Sequence, residues 1–286
     1  MAPGRYGLIE AGGTKFVLGI WDNGAIVARN RIPTTNPTDV IAQCLAWFAQ
    51  AGGVFDGIGI ASFGPLDLDR DSPGWGHITA TPKPHWSGID LVGPFARVFE
   101  CPVAIDTDVN GAALAEHRWG AGQGLRSLLY LTVGTGVGGG AVLDGRVLHG
   151  LSHPEMGHMR LARHRDDDGF DGICRYHGAC LEGLASGPAI AARWGMPLSA
   201  LPGDHPGRAI IAWYLAQAVT AFQAIISPQR VVMGGGVMAT PGLHAAVEAQ
   251  MRLLGAGYFP LPDGNLVVPP GLGDDAGLMG ALAVVA

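Results

Sequence analysis

A pattern that occurs twice constrains this chain more than any other feature. Residues 6–9 read as a strand, Ala11-Gly12-Gly13-Thr14 as a tight turn, residues 16–21 as a second strand, and Asn23-Gly24 as a type I′ turn into a third. About 120 residues later the device returns. Residues 128–133 form a strand, Gly134-Thr135-Gly136 a turn, residues 138–143 a strand, and Asp144-Gly145 a hairpin turn into residues 147–149. Apolar helix and strand segments alternate after each meander. The first half offers a helix at 40–51, a strand at 57–62, a helix at 91–99, a strand at 103–106 and a helix at 108–117. The second offers helices at 188–194 and 209–226, a strand at 230–233, and helices at 243–254 and 275–285. Two related α/β halves are expected, with domains at 1–118 and 119–286, a join near 120–124, and a last helix able to pack back on the first domain.

Composition supports a packed core. Hydrophobic residues make up 48% and charged residues 15% of the 286 positions, unlike a disordered chain. The 46 glycines cluster in short loops after apolar runs, as close-approach sites do, and not in linker tracts. A net charge of -6 supplies no basic field for a phosphate backbone, so nucleic acid is excluded as the expected partner. No secretory n-region and h-region open the chain, and a cytoplasmic protein is expected. Residues 209–229 carry no charge over a membrane-spanning length, but Gln217, Thr220 and Gln223 mark an interior helix, so no membrane partner is expected. Four cysteines without a secretory signal are not expected to form disulfides.

Gly134-Thr135-Gly136-Val137-Gly138-Gly139 matches G-x-G-x-x-G, but a dinucleotide fingerprint leads from strand into helix. Here it leads into another strand. Such a turn still presents N–H groups to phosphate oxygens, and Thr132 and Thr135 add hydroxyls. Gly12-Gly13-Thr14-Lys15 sits at the equivalent turn of the first half, a second phosphate-sized turn expected across a cleft. Gly234-Gly235-Gly236, between a strand and a helix, is a third close-approach loop, suited to an adenosine. No G-x4-G-K-[ST] loop is present.

The segments EAGGTK, AIDTDVNGAALAE, LTVGTGVGGG, HPEMGHM, a Cys/His cluster ending CLEG, and VVMGGGVM, in this order over nearly the whole chain, resemble the ROK sugar kinases. Glu10 in place of the usual Asp, TPKP at 81–84, and Cys-x2-His-x2-Cys resemble the bacterial fructokinase branch. The resemblance implies an actin-like ATPase (ribonuclease H-like) α/β fold with two similar domains around a cleft. It also implies ATP-dependent phosphorylation of a hexose, fructose first, with mannose tolerated.

Asp108 then becomes the expected catalytic base, because a carboxylate must accept the sugar hydroxyl proton as the phosphoryl group transfers. Its bland alternative is a helix N-cap, and Asp106 is its rival on the same strand face. Thr107 and Asn110 are expected near the sugar, as are Gly64 and Pro65 in SFGPLD. Glu155, His158 and Glu182 are implied to hydrogen-bond sugar hydroxyls. Lys83 contacts substrate or phosphate. His158, Cys174, His177 and Cys180 supply the four ligands of a structural tetrahedral zinc, with His177 standing where many relatives carry a thiolate. Glu10, Gly12, Gly13, Thr14, Lys15, Thr132, Gly134, Thr135, Gly136, Pro188 and Gly234 to Gly236 are expected around ATP, with Glu10 nearest its Mg2+, through water. The family usually forms homodimers. Rival readings are a kinase of glucose or another hexose, a sugar-sensing regulator, and an actin-like ATPase with no sugar pocket. The regulator would need a DNA-binding head, and only five residues precede Tyr6 here.

Overall fold

A computed structural model of the chain describes residues 3–167 and 169–286. The chain separates into two compact units. Unit 1 comprises Met1–Trp119, Val147–Pro154 and Leu272–Ala286; unit 2 comprises Gly120–Arg146 and Glu155–Gly271.

Unit 1 opens with β1 (Arg5–Ala11), β2 (Lys15–Asp22) and β3 (Ala25–Pro33), an antiparallel meander. Asn23 and Gly24 both have positive φ, 42° and 114°, as a type I′ turn requires. Helix α1 (Pro37–Gln50) is capped by the Asn36 side chain, which accepts from Thr38 N at 2.9 Å. Strand β4 (Gly57–Ser62) is buried throughout and pairs parallel with β1. Helix α2 (Gly93–Phe99), strand β5 (Val103–Thr107) and helix α3 (Asp108–Trp119) follow. The sheet order is β3-β2-β1-β4-β5. On one face Phe48, Phe55, Phe95 and Phe99 meet edge to face. A closing helix, residues 276–285, covers β4. A Cβ at Gly59 would fall 1.9 Å from Ala281 O, so helix backbone lies directly on the strand there.

Unit 2 repeats the plan. β6 (Ser127–Val133), β7 (Val137–Leu143) and β8 (Arg146–Val147) form its meander, with Asp144 and Gly145 at φ 49° and 77°. Short helix α4 (Leu181–Ala185), α5 (Gly187–Trp194), α6 (Pro206–Ile226), strand β9 (Val231–Gly234), α7 (Leu243–Gly255) and strand β10 (Val267–Val268) complete it. Helix α8 (Ala276–Val285) is the closing helix of unit 1. The sheet order β10-β9-β6-β7-β8 is that of unit 1 read backwards, with β6–β9 and β9–β10 parallel. A repeated β-β-β-α-β plan is what the repeated glycine turns called for.

Three expectations need correction. The third strand of the second meander stops at Val147 and does not reach residue 149, because His149 turns out of the sheet to bond Asp106. Helix α6 starts at Pro206, three residues before the expected 209, because the His205 side chain accepts from Gly207 N at 3.0 Å and caps it. Helix α4 was not expected at all. Only five residues long, it has too little apolar period to read from sequence.

Helix α6 is long and apolar enough to cross a membrane by length and composition. It buries Ile210, Ile211, Leu215, Val219 and Phe222 within the fold. Its polar residues bond inside unit 2: Gln217 exchanges hydrogen bonds with Ala162 N and O at 3.1 and 3.2 Å, and Gln223 donates to Pro260 O at 3.2 Å.

Candidate active site

Residues 106–110 of unit 1 join the end of β5 to the start of α3 and divide their work among neighbouring side chains. Thr107 Oγ1 accepts from Asn110 N at 3.1 Å and so fills the capping role. Asp108, the first helical residue, accepts from the adjacent Val109 N at 2.9 Å. It is half-buried at a helix N-terminus, where the helix dipole favours negative charge. Asp106 is occupied. Its Oδ1 accepts from Thr107 N and Asn110 Nδ2, each at 2.7 Å, and its Oδ2 lies 3.1 Å from His149 Nε2. The hydrogen bond to Asp106 raises the His149 pKa above its ordinary value, with partial burial opposing.

The β1–β2 turn holds Gly12 N to Lys15 O at 3.0 Å, while Thr34 Oγ1 donates to Gly12 O at 2.7 Å. Gly13, Thr14 and Lys15 are exposed, and a Cβ added at Gly13 would meet no protein atom within 4 Å. Lys83 Nζ donates to Gly13 O, which brings TPKP to this turn. Glu10, at the same end of β1, packs over the first turn of α8, where a Cβ at Gly277 would lie 2.1 Å from its carboxyl carbon. Burial pushes the Glu10 carboxyl up, and Lys15 and Arg31 pull it partly back. In the SFGPLD turn a Cβ at Gly64 would touch the His153 ring at 3.4 Å, and the peptide before Pro65 is cis.

In unit 2 three backbone segments converge. Gly134 N donates to Gly136 O at 2.8 Å, and Gly187 N, at the start of α5, donates to Gly134 O at 2.7 Å. Pro188 follows on the exposed side. A Cβ at Gly134 would lie 3.9 Å from Gly236 N, so the third glycine loop borders the first. Thr132 pairs with Gly138 and Gly234 across the sheet, and Thr135 is exposed on the turn. A cavity of about 280 Å³ is lined by Gly203, Arg208, Thr240, Pro241, Gly242 and Leu243, among others.

Gly235 and Gly236 differ in what a side chain would meet. Gly235 has φ 91°, and a Cβ there would lie 2.4 Å from Val133 O, whereas Gly236 faces open space. Gly235→Ala is expected to cost about 1–3 kcal/mol of stability, read by thermal or denaturant unfolding. Gly236→Ala is expected to leave the unfolding midpoint unchanged, since the added Cβ meets no protein atom within 4 Å.

His158, Cys174, His177 and Cys180 hold their ligating atoms within 4.8 Å of one another. Cys174 Sγ lies 3.7 Å from His158 Nδ1 and from His177 Nδ1, and Cys180 Sγ lies 3.6 Å from His158 Nδ1. Tetrahedral zinc bonds of about 2.3 Å to sulfur and about 2.0 Å to nitrogen put those atoms about 3.5 Å apart, so the donors fit the ion. Burial pushes the Cys180 thiol up, and a cation that stabilises thiolate offsets that cost. The loop is fastened to both expected carboxylates. His158 N donates to Glu155 O at 3.0 Å, and Glu182 stands on α4 two residues beyond Cys180. Glu182 Oε2 accepts from Val137 N at 3.1 Å, directly beside Gly136. Glu155 is exposed and Glu182 half-buried.

The ROK family model matches residues 6–286. The chain belongs to the ROK family. A fructokinase of Zymomonas mobilis is 52% identical over 98% of this chain and 95% of its own length. A fructokinase of Streptococcus mutans is 38% identical over 98% and 96%. Among solved structures, a ROK hexokinase from Thermus thermophilus superposes with a TM-score of 0.79 at 30% identity, covering 98% of this chain and 97% of that one. The actin-like two-domain fold is therefore that of the ROK sugar kinases.

Against the sequence reading of this ROK chain, the structure adds two histidines. His149 pairs with Asp106, and buried His153 accepts from Leu66 N at 3.0 Å through Nε2. HPEMGHM contains His153 and carries the resemblance, but neither histidine has a partner near it in sequence. Both lie in Val147–Pro154, which groups with unit 1 although the sequence placed it in the second domain.

Proposed function

We infer that this ROK chain is an ATP-dependent fructokinase that transfers the γ-phosphoryl group of ATP to the 6-hydroxyl of fructose. The relatives of 38–52% identity that carry the name fructokinase support the substrate. The division of labour at residues 106–108 supports the chemistry: Thr107 caps the helix, Asp106 accepts from three donors, and Asp108, half-buried at the helix N-terminus and not needed as its cap, is assigned the proton transfer.

In this reading the fructose O6 attacks the γ-phosphorus, the O6–P bond forms as the bond to the β-phosphate oxygen breaks, and Asp108 takes the O6 proton. ADP and fructose 6-phosphate leave. Asn110, Gly64 and Pro65 in unit 1, and Glu155, His158 and Glu182 in unit 2, are the groups assigned to sugar hydroxyls. With Glu182 Oε2 committed to Val137 N, Oε1 faces the hydroxyls. His158 offers Nδ1 to the zinc donor set and keeps Nε2 for the sugar. With four protein donors a bound ion would supply no bond-making chemistry; His158, Cys174, His177 and Cys180 would hold it, and the loop that carries these groups would be fixed by it. Mg-ATP is the second substrate. Each unit offers its own glycine turn for phosphate: Gly12 to Lys15 in unit 1, with Lys83 bonded to Gly13 and Glu10 as the carboxylate for magnesium, and Gly134 to Gly136 in unit 2, where Pro188 and Gly234 to Gly236 are assigned to the adenosine. The working form is taken as a cytoplasmic homodimer.

ADP release with Mg-ATP against fructose, mannose, glucose and N-acetylmannosamine tests the substrate. Fructose is expected to give the highest kcat/KM. Turnover of another hexose with none above blank for fructose would replace this reading.

A further inference from the structure

We propose that Val147–Pro154 is a positioning strap, in which His149 and His153 hold two sugar-contacting elements of unit 1 in register. The proposal deepens the fructokinase reading and rests on it for the identity of the sugar.

The strap begins at the last residue of β8 and ends before Glu155, so the chain on either side of it belongs to unit 2, yet it groups with unit 1. Each of its histidines reaches unit 1 through Nε2, and His149 Nε2 also lies 3.3 Å from Asn110 Nδ2. His149 Nε2 faces Asp106 Oδ2 at 3.1 Å and Oδ1 at 3.3 Å, and that carboxylate in turn accepts from Asn110 Nδ2 at 2.7 Å. Asn110 is 1% exposed, and its Oδ1 has no hydrogen-bond partner among the described residues. Asp106 thus fixes which way the Asn110 amide points, and His149 fixes Asp106. His153 Nε2 accepts from Leu66 N at 3.0 Å, and its ring lies against Gly64, so it braces the Gly64-Pro65 turn. The two contacts demand opposite imidazole forms. His149 must carry a proton on Nε2 to donate, and His153 must present a bare Nε2 to accept.

Neither histidine needs to touch the sugar. They act through Asn110 and through the Gly64-Pro65 backbone, and are positioning residues. His149→Ala and His153→Ala are each expected to raise KM for fructose about tenfold, the scale of one misplaced hydrogen-bonding contact. KM for Mg-ATP should stay within about twofold, since no nucleotide element is moved. Glutamine places an amide N–H or carbonyl oxygen near where histidine places Nε2, so His149→Gln and His153→Gln should recover most of the fructose affinity. Equal rises in both KM values, unchanged fructose KM in folded alanine variants, or glutamine variants no better than alanine would each overturn the strap. The 15N spectrum of labelled histidine gives a check independent of the sugar. An Nε2–H signal at His149 with an unprotonated Nε2 at His153 supports the clamp, and the reverse overturns it even if another hexose proves to be the substrate. Wild-type protein that fails on fructose but shows this pattern sinks only the substrate assignment.

Discussion

Asp108→Asn removes fructose phosphorylation by about 10²–10⁴-fold in kcat, the usual contribution of a positioned general base, and leaves fructose binding within a few-fold of wild type. The asymmetry follows from the local geometry. Asparagine keeps the Oδ1 that accepts from Val109 N, and Thr107 rather than residue 108 caps α3, so the helix start is undisturbed. Charge and proton affinity are what disappear. Equilibrium titration with fructose and single-turnover rates with Mg-ATP separate the two effects. Asp106→Asn makes the contrasting control. It weakens a carboxylate that accepts from Thr107 N, Asn110 Nδ2 and His149, so fructose affinity and stability should both fall. An Asp108→Asn enzyme turning over at near the wild-type rate would remove Asp108 from the chemistry.

Zinc removal is the second large effect. About one zinc per chain is expected from the four-donor rule, and chelation should loosen residues 155–183. An ion present at a thousandfold excess over its Kd stabilises the folded state by about 4 kcal/mol. At about 2–4 °C per kcal/mol for a domain of this size, Tm falls by about 10 °C. Fructose affinity should fall with it, because Glu155 and Glu182 are joined to the loop through His158 and Cys180. Cys174→Ser should do the same by weakening one ligand. A protein that is metal-free by elemental analysis, with wild-type Tm and fructose KM, would show that the cluster holds no structural ion.

Much of the fold was legible because its signals are local. Asn23-Gly24 and Asp144-Gly145 announce their own turns through the positive φ that only such residues adopt easily. The uncharged run that became α6 carried its own correction in Gln217 and Gln223, which bond within the unit. The Cys-x2-His-x2-Cys triplet was likewise visible, since three of its donors lie within seven residues. Helix α4 and strand β10 were not, because five and two residues hold no period to read.

The amino-acid order by itself determined the duplicated plan, the three glycine loops, the Cys174, His177 and Cys180 triplet and Asp108 at the start of a helix, since each depends on neighbours within a few positions. Only tertiary structure decided that Thr107 takes the cap, that Asp106 is committed to His149 across 43 residues of chain, and that His153 braces Leu66 from 87 residues away. Those roles turn on which polar groups meet once apolar burial has packed the sheets. A buried donor or acceptor must find its partner wherever the fold has brought one, and sequence distance carries no record of that encounter.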